Sequence, residues 1–178
     1  MTFASPLLMA PPKVFLPLLL AFSIILAPAC STDNGEDAPS ASSDTTSIPF
    51  DNEGQLAFVQ DRDTLVLIDL EIAESDSAQK RGMMQREGFP NETSGMLFPF
   101  DEERKRSFWM ANTPLSLDLF FISADSQIVR IKKYAQPNSA TSIPSQAPAQ
   151  YVLETGAGFA DSYGIVEGDR VRWRRTDE

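Results

Sequence analysis

Residues 107–121 read SFWMANTPLSLDLFF, a stretch dense in Trp, Phe, Leu and Met that carries one carboxylate, Asp118, near its end. A lone acid in apolar company has three uses. A buried carboxylate is costly unless it is paired or hydrogen-bonded, so Asp118 is first of all a staple for a turn or an arginine. It also suits the mouth of a pocket, where it and an arginine recognise a polar ligand above a stacking floor of Trp109 or Phe108. Third, apolar surroundings raise a carboxyl pKa and make it a general acid, but glycoside hydrolysis then requires a second carboxylate at a set separation. The partners nearest in sequence are Asn112 and Thr113. The staple is the leading expectation for Asp118, the ligand pocket the second, and no residue is assigned a catalytic role.

The segment 54–175 contains no histidine and no cysteine. That composition removes a Ser-His-Asp triad, a thiol nucleophile and any zinc site built from His or Cys. No metal and no cofactor are expected. Met83, Met84, Met96 and Met110 intersperse with Phe, Leu and Trp, and read as core fillers rather than copper ligands. GAG at 156–158 lacks the context of a phosphate loop.

The elements that position these residues are short and mostly extended. Residues 64–72, TLVLIDLEI, alternate so that Val66, Ile68, Leu70 and Ile72 form one apolar face. Ser75 is placed to cap a helix over 76–84. Strands are expected at 56–60, 95–100, 108–110, 115–122, 127–133, 151–155 and from 170 onward, with a helical turn within 156–164. Pro114 launches an extended segment in which Leu117, Leu119 and Phe121 share one face and Asp118, Phe120 and Ile122 the other. Both faces are apolar, so this strand is expected to be covered on both sides. DEERKR at 101–106 reads as a solvated turn whose charges compensate one another. The uncharged, Pro- and Ser-rich residues 135–149 are either floppy or a flap over something. Arg170, Arg172 and Arg174 read as a solvated strand face. The fold class is mainly β, a single small antiparallel sandwich or barrel domain with one or two short helices.

RGMMQR (81–86), GMLFPF (95–100), FWMANTPLSLDLFFI (108–122), YVLETGAG (151–158) and GIVEGDRV (164–171) resemble, in order and spacing, the domain-of-unknown-function family DUF192. The resemblance spans nearly all of 64–174. It departs at Met84-Gln85, where an aromatic-containing pattern is commoner, and at Leu115-Ser116, where Ile-Pro is frequent. The resemblance implies a small, β-rich, often exported domain of sandwich or barrel type, and it implies no activity. Within these blocks Glu154 is the second carboxylate to consider. The expected ligand-binding set is therefore Asp118, Arg81, Arg86, Trp109, Asn112, Thr113 and Glu154.

The chain opens with one charge, Lys13, and an apolar run over 14–27, too short for a comfortable membrane span. Residues 1–29 read as a signal peptide, with translation starting at Met1 or Met9. Ala27-Pro28-Ala29-Cys30 resembles a bacterial lipobox, with Ala27 where Leu is commoner, and Cys30 is the only cysteine. Lipidation of Cys30 would anchor the protein to a membrane. Ser31 beside it favours the outer over the inner membrane, on the periplasmic side. Residues 30–53 hold six acids and no base, and read as a disordered tether. The domain then covers 54–175, with 176–178 as a tail. The whole chain is −10; without Lys13 and the tether acids, 14 bases and 19 acids remain, a net of −5. No basic face appears, so nucleic acid is not an expected partner. The expected function is a non-enzymatic, lipid-anchored envelope module that binds a small polar ligand, a glycan or a protein partner. The alternative is a carboxylate-dependent hydrolase of an envelope glycan or ester. In cells fed labelled palmitate, the wild-type chain is expected to take up label and Cys30→Ser to lose it; undiminished label in the variant would remove the anchor.

Overall fold

The computed structural model describes residues 48–176. The expected signal peptide, Cys30, the expected tether up to residue 47 and tail residues 177–178 lie outside the described residues. The strands are β1 (Gly54–Gln60), β2 (Asp63–Ile72), β3 (Ser94–Arg104), β4 (Ser107–Phe108), β5 (Leu117–Ile122), β6 (Ile128–Ala135), β7 (Ile143–Pro144), β8 (Ala149–Gly156) and β9 (Arg170–Arg175). Two short helices, α1 (Asp76–Arg81) and α2 (Phe159–Ser162), complete the order. Seven strands form one sheet in the order β6-β5-β8-β3-β2-β1-β9, and β4 pairs with β7 in a second, two-stranded sheet. The fold is mainly β, as composition and alternation require. Glu53, the last acid of the expected tether, is tied into the domain: its N–H donates to the Leu70 carbonyl at 2.8 Å and its carboxylate accepts from Ile72 N–H at 2.8 Å.

The sheet curls without closing into a barrel. Its two edge strands meet near their beginnings, where Gln127 bridges Arg170, Ile128 N–H donates to the Asp169 carbonyl at 2.8 Å, Gly168 N–H to the Ile128 carbonyl at 2.8 Å and Val171 N–H to the Ser126 carbonyl at 2.9 Å. Every neighbouring pair is antiparallel except β2 and β3, which run parallel with Leu70 opposite Gly95. A parallel return needs a crossover of a dozen residues or more, and residues 73–93 supply it. Ser75 caps α1 as its position implies, accepting from Ala78 N–H at 3.2 Å. The helix stops at Arg81, three residues short of the expected end. Gly82 takes φ +48°, and a Cβ there would sit 3.2 Å from the Phe98 ring. Only glycine both turns the chain here and lets it lie on β3.

The alternation read at 117–122 is realised on a strand buried along its whole length. On the concave side of the curl, Phe120 and Ile122 join Leu56, Phe58, Ile68, Leu70 and Leu153. On the convex side, Leu117, Leu119 and Phe121 join Met83, Met96, Phe98, Met110 and Val152. Residues 136–148 are a flap on that second side. Its β7 pairs with β4, and Ile143 is buried in the convex cluster.

Asp118 faces the concave side and is fully buried. Between Leu117 and Leu119 the pairing with β6 slips by one residue, a β-bulge. The bulge turns Tyr134 to φ +50° and frees its N–H, which donates to Asp118 Oδ1 at 2.8 Å. Ala160 N–H, in the first turn of α2, donates to Oδ2 at 3.0 Å. These donors differ from the expected ones. Arg81 and the Asn112-Thr113 turn accompany Met83 and Met110 on the convex side, whereas a side chain at 118 must point the opposite way from those at 117 and 119. Asp118 therefore staples β5 to the bulge and to α2. Asp118→Ala leaves two backbone donors unpaired and is expected to lower unfolding stability by roughly 3 kcal/mol in urea melts. A variant within about 0.5 kcal/mol of wild type would contradict the staple.

Candidate functional site

The second buried carboxylate is placed differently. Glu154 lies on β8 between Met96 of β3 and Leu119 of β5. It shares the convex face with Val152, so its side chain enters the methionine-rich cluster. It is 5% exposed. No ion pair among the described residues involves it, and its carboxyl borders a cavity. Burial alone raises its pKa from the ordinary value to about 8. At neutral pH it is a carboxylic acid, able to donate a hydrogen bond as well as accept one.

The cavity over Glu154 has a volume of about 470 Å³. Three segments build it. The crossover contributes α1, Gly82, Met83 and the half-buried Met84; β3 contributes Phe98, Phe100 and Arg104; and the turn into β4 adds Lys105, Arg106, Phe108 and Trp109. Phe98 and Phe108 meet edge to face at 5.3 Å, which fixes the apolar wall. The rim is cationic. Lys80, Arg81, Arg104, Lys105 and Arg106 all border the cavity, and none takes part in the four ion pairs among the described residues. Arg106 stacks on Phe100 at 3.5 Å, and its Nε–H donates to the Ala149 carbonyl at 2.9 Å. Burial, and then repulsion by Arg104, lowers its pKa. Asp76 is the only carboxylate besides Glu154 on the cavity lining.

Of the expected set, the fold brings Arg81, Trp109, Thr113 and Glu154 to this cavity and leaves out Asp118, Arg86 and Asn112. Arg86 is buried and grips Glu71 with two hydrogen bonds, at 2.7 and 2.5 Å, which ties the crossover to β2. Asn112 is an exposed turn residue at φ +56°, and its carbonyl accepts from Gln85 N–H at 2.8 Å. Trp109 is 61% exposed, at the mouth rather than the floor. The sequence reading missed Arg104, Lys105 and Arg106. DEERKR is not a compact, self-neutralising turn: β3 continues through Pro99 to Arg104, so the acids are spent along the strand and the bases arrive at the cavity. The split of three acids followed by three bases was the available signal.

This arrangement suits an anion with an apolar part. Hydrophobic walls take the body, the rim cations take the charge, and protonated Glu154 offers a donor at the bottom. Over residues 57–173 the chain matches the model of the DUF192 family, described as an uncharacterized ACR. Two of the solved structures similar to it illustrate the likeness. One, from Sinorhizobium meliloti 1021 and described as a candidate transcription regulator, is 34% identical; the match covers 71% of this chain and 96% of that one, with a TM-score of 0.65. The other, of unknown function from Novosphingobium aromaticivorans DSM 12444, is 29% identical, covering 67% of this chain and 84% of that one, with a TM-score of 0.63. None of the curated proteins matches.

The buried acid has a consequence for stability. Its pKa is raised in the folded state, so the native protein holds a proton that the unfolded chain releases above about pH 4.5. Its contribution is therefore greatest below that value and falls as pH rises to about 8, where the folded form also ionises. A shift of this size corresponds to about 4–5 kcal/mol across the window. Urea unfolding at acid and mildly alkaline pH is expected to show this decline in the wild type and to lose most of it in Glu154→Gln. Parallel pH profiles for the two proteins would refute the assignment.

Proposed function

The chain belongs to the DUF192 family, and we propose that it is a non-enzymatic binding domain for small anions that carry an apolar body. The observation behind this reading is the cavity over Glu154: five cations that form no ion pair among the described residues ring an aromatic and methionine-lined hollow in a domain that is otherwise net acidic. Uncompensated like charges repel one another, and an anionic ligand relieves that repulsion. The aromatic wall and Met83 contribute hydrophobic contact, and protonated Glu154 sets no opposing charge against the ligand. The cations converge on a hollow and are flanked by Asp101, Glu102 and Glu103, which favours a compact anion over a nucleic-acid backbone. A hydrolase with paired carboxylates is less well supported, because Asp118 lies on the opposite face of the sheet with both oxygens engaged.

In this reading Cys30 carries the lipid, residues 30–53 form the tether, and the pocket is displayed on the periplasmic side of the envelope, on the outer membrane. Decanoate serves as a probe, titrated into the full chain carrying Cys30→Ser and followed by tryptophan fluorescence. Decanoate is expected to bind more tightly than decanol of the same chain length. The double change Arg81→Gln, Arg104→Gln is expected to weaken decanoate about tenfold, or roughly 1.4 kcal/mol. Equal affinity for acid and alcohol, or no response to the double variant, would remove the anion pocket.

A further inference from the structure

A second hollow of about 710 Å³ adjoins the first, and the two share Asp76, Gln79, Phe100, Arg104 and Arg106 as a common wall. It lies at one end of the curled sheet. Tyr151 of β8 and Trp173 of β9 stand four places apart in the strand order, yet meet across the concave interior at 5.9 Å, edge to face. Both are half-buried and both line the hollow, so ring surface remains open to it. The rest of the lining is of another kind. Gln150, Asp101 and Glu102 offer acceptors, while Arg104 and Arg106 offer donors. Gln79 has its amide N–H engaged by the Pro99 carbonyl at 2.7 Å, which leaves the amide oxygen as an acceptor. Glu74 is already paired with Arg175 at 2.8 Å.

Building on the anion pocket, we propose that the two hollows are one bipartite groove for an acidic oligosaccharide, with a sugar carboxylate over the rim cations and the next ring on the Tyr151–Trp173 platform. Sugar hydroxyls donate and accept at once, so they match a lining that mixes carboxylates, amides and guanidinium groups. The C–H face of a pyranose packs on aromatic rings. A purely aliphatic chain gains nothing among Asp101, Glu102 and Gln150, and would stay in the first hollow. Arg104 and Arg106 line both hollows, so the carboxylates of two successive acidic rings can each meet a guanidinium group at the junction.

The chain has two tryptophans, one for each hollow, so two indole N–H signals report the halves separately; Trp109→Phe assigns them. The full chain carrying Cys30→Ser is titrated with trigalacturonate, monomeric galacturonate, triglutamate and decanoate. Trigalacturonate is expected to shift both signals and to bind about tenfold more tightly than the monomer. Decanoate is expected to shift only the Trp109 signal. Gln150→Ala with Tyr151→Leu is expected to reduce trigalacturonate affinity towards that of the monomer while leaving decanoate unchanged, because both residues line only the second hollow. If trigalacturonate leaves Trp173 unmoved, binds no better than the monomer, or is matched by triglutamate, the oligosaccharide groove is wrong while the anion pocket stands. If decanoate also leaves Trp109 unmoved, the anion pocket fails and takes the groove with it.

Discussion

The architecture turns on a sheet whose central strands are apolar on both faces. Strands β5, β8 and the first half of β3 carry Leu, Phe, Val and Met without regard to side, and each face must be shielded from water. The concave face is shielded by the curl of the sheet, which brings β1, β2 and β9 over the same apolar cluster. The convex face has no second large sheet to cover it. The α1 crossover, the flap at 136–148 and the turn into β4 do so instead. Short irregular segments cover a surface less evenly than a sheet does, and the cavity over Glu154 is where they fall short.

Two buried carboxylates follow opposite logics on the two faces. Asp118 receives two backbone N–H donors, one released by a β-bulge and one at the start of a helical turn. Both oxygens are engaged in holding the fold, and the side chain is fully buried, out of reach of a ligand. Glu154 stands one strand away on the other face, with no partner charge and a cavity against it, and burial keeps its proton on. Strand alternation places each acid, and the supply of backbone donors then divides structural from available.

The charge of the domain is distributed with equal economy. The described ion pairs sit elsewhere: Arg86 with Glu71 under the crossover, Lys133 with Asp161, Arg170 with Asp125 and Arg175 with Glu74. The first is buried and joins two elements, while the pairs of Lys133 and Arg170 are largely exposed and contribute little to stability. Five of the cations outside those pairs, Lys80, Arg81, Arg104, Lys105 and Arg106, gather at one opening. A binding role needs no further machinery than this surplus, an apolar interior and one acid that keeps its proton.

Local pattern alone established the strand character, the two-sided burial of 117–122, the Ser75 cap, the core role of Met83, Met96 and Met110, and the solvated faces of Arg170, Arg172 and Arg174. Each depends on alternation or on neighbours within a few positions, and such short-range rules survive folding. The family was legible from five ordered blocks for the same reason. Partnership was not. Asp118 meets Tyr134 and Ala160 rather than the nearby Asn112 and Thr113, because those donors come from a bulge and a helix start that exist only once β5, β6 and α2 are assembled. The parallel pairing of β2 with β3 and the delivery of Arg104, Lys105 and Arg106 to the cavity are likewise long-range outcomes. A sequence states which side of a strand a residue occupies; what stands opposite it is decided by the packing of segments far apart in the chain.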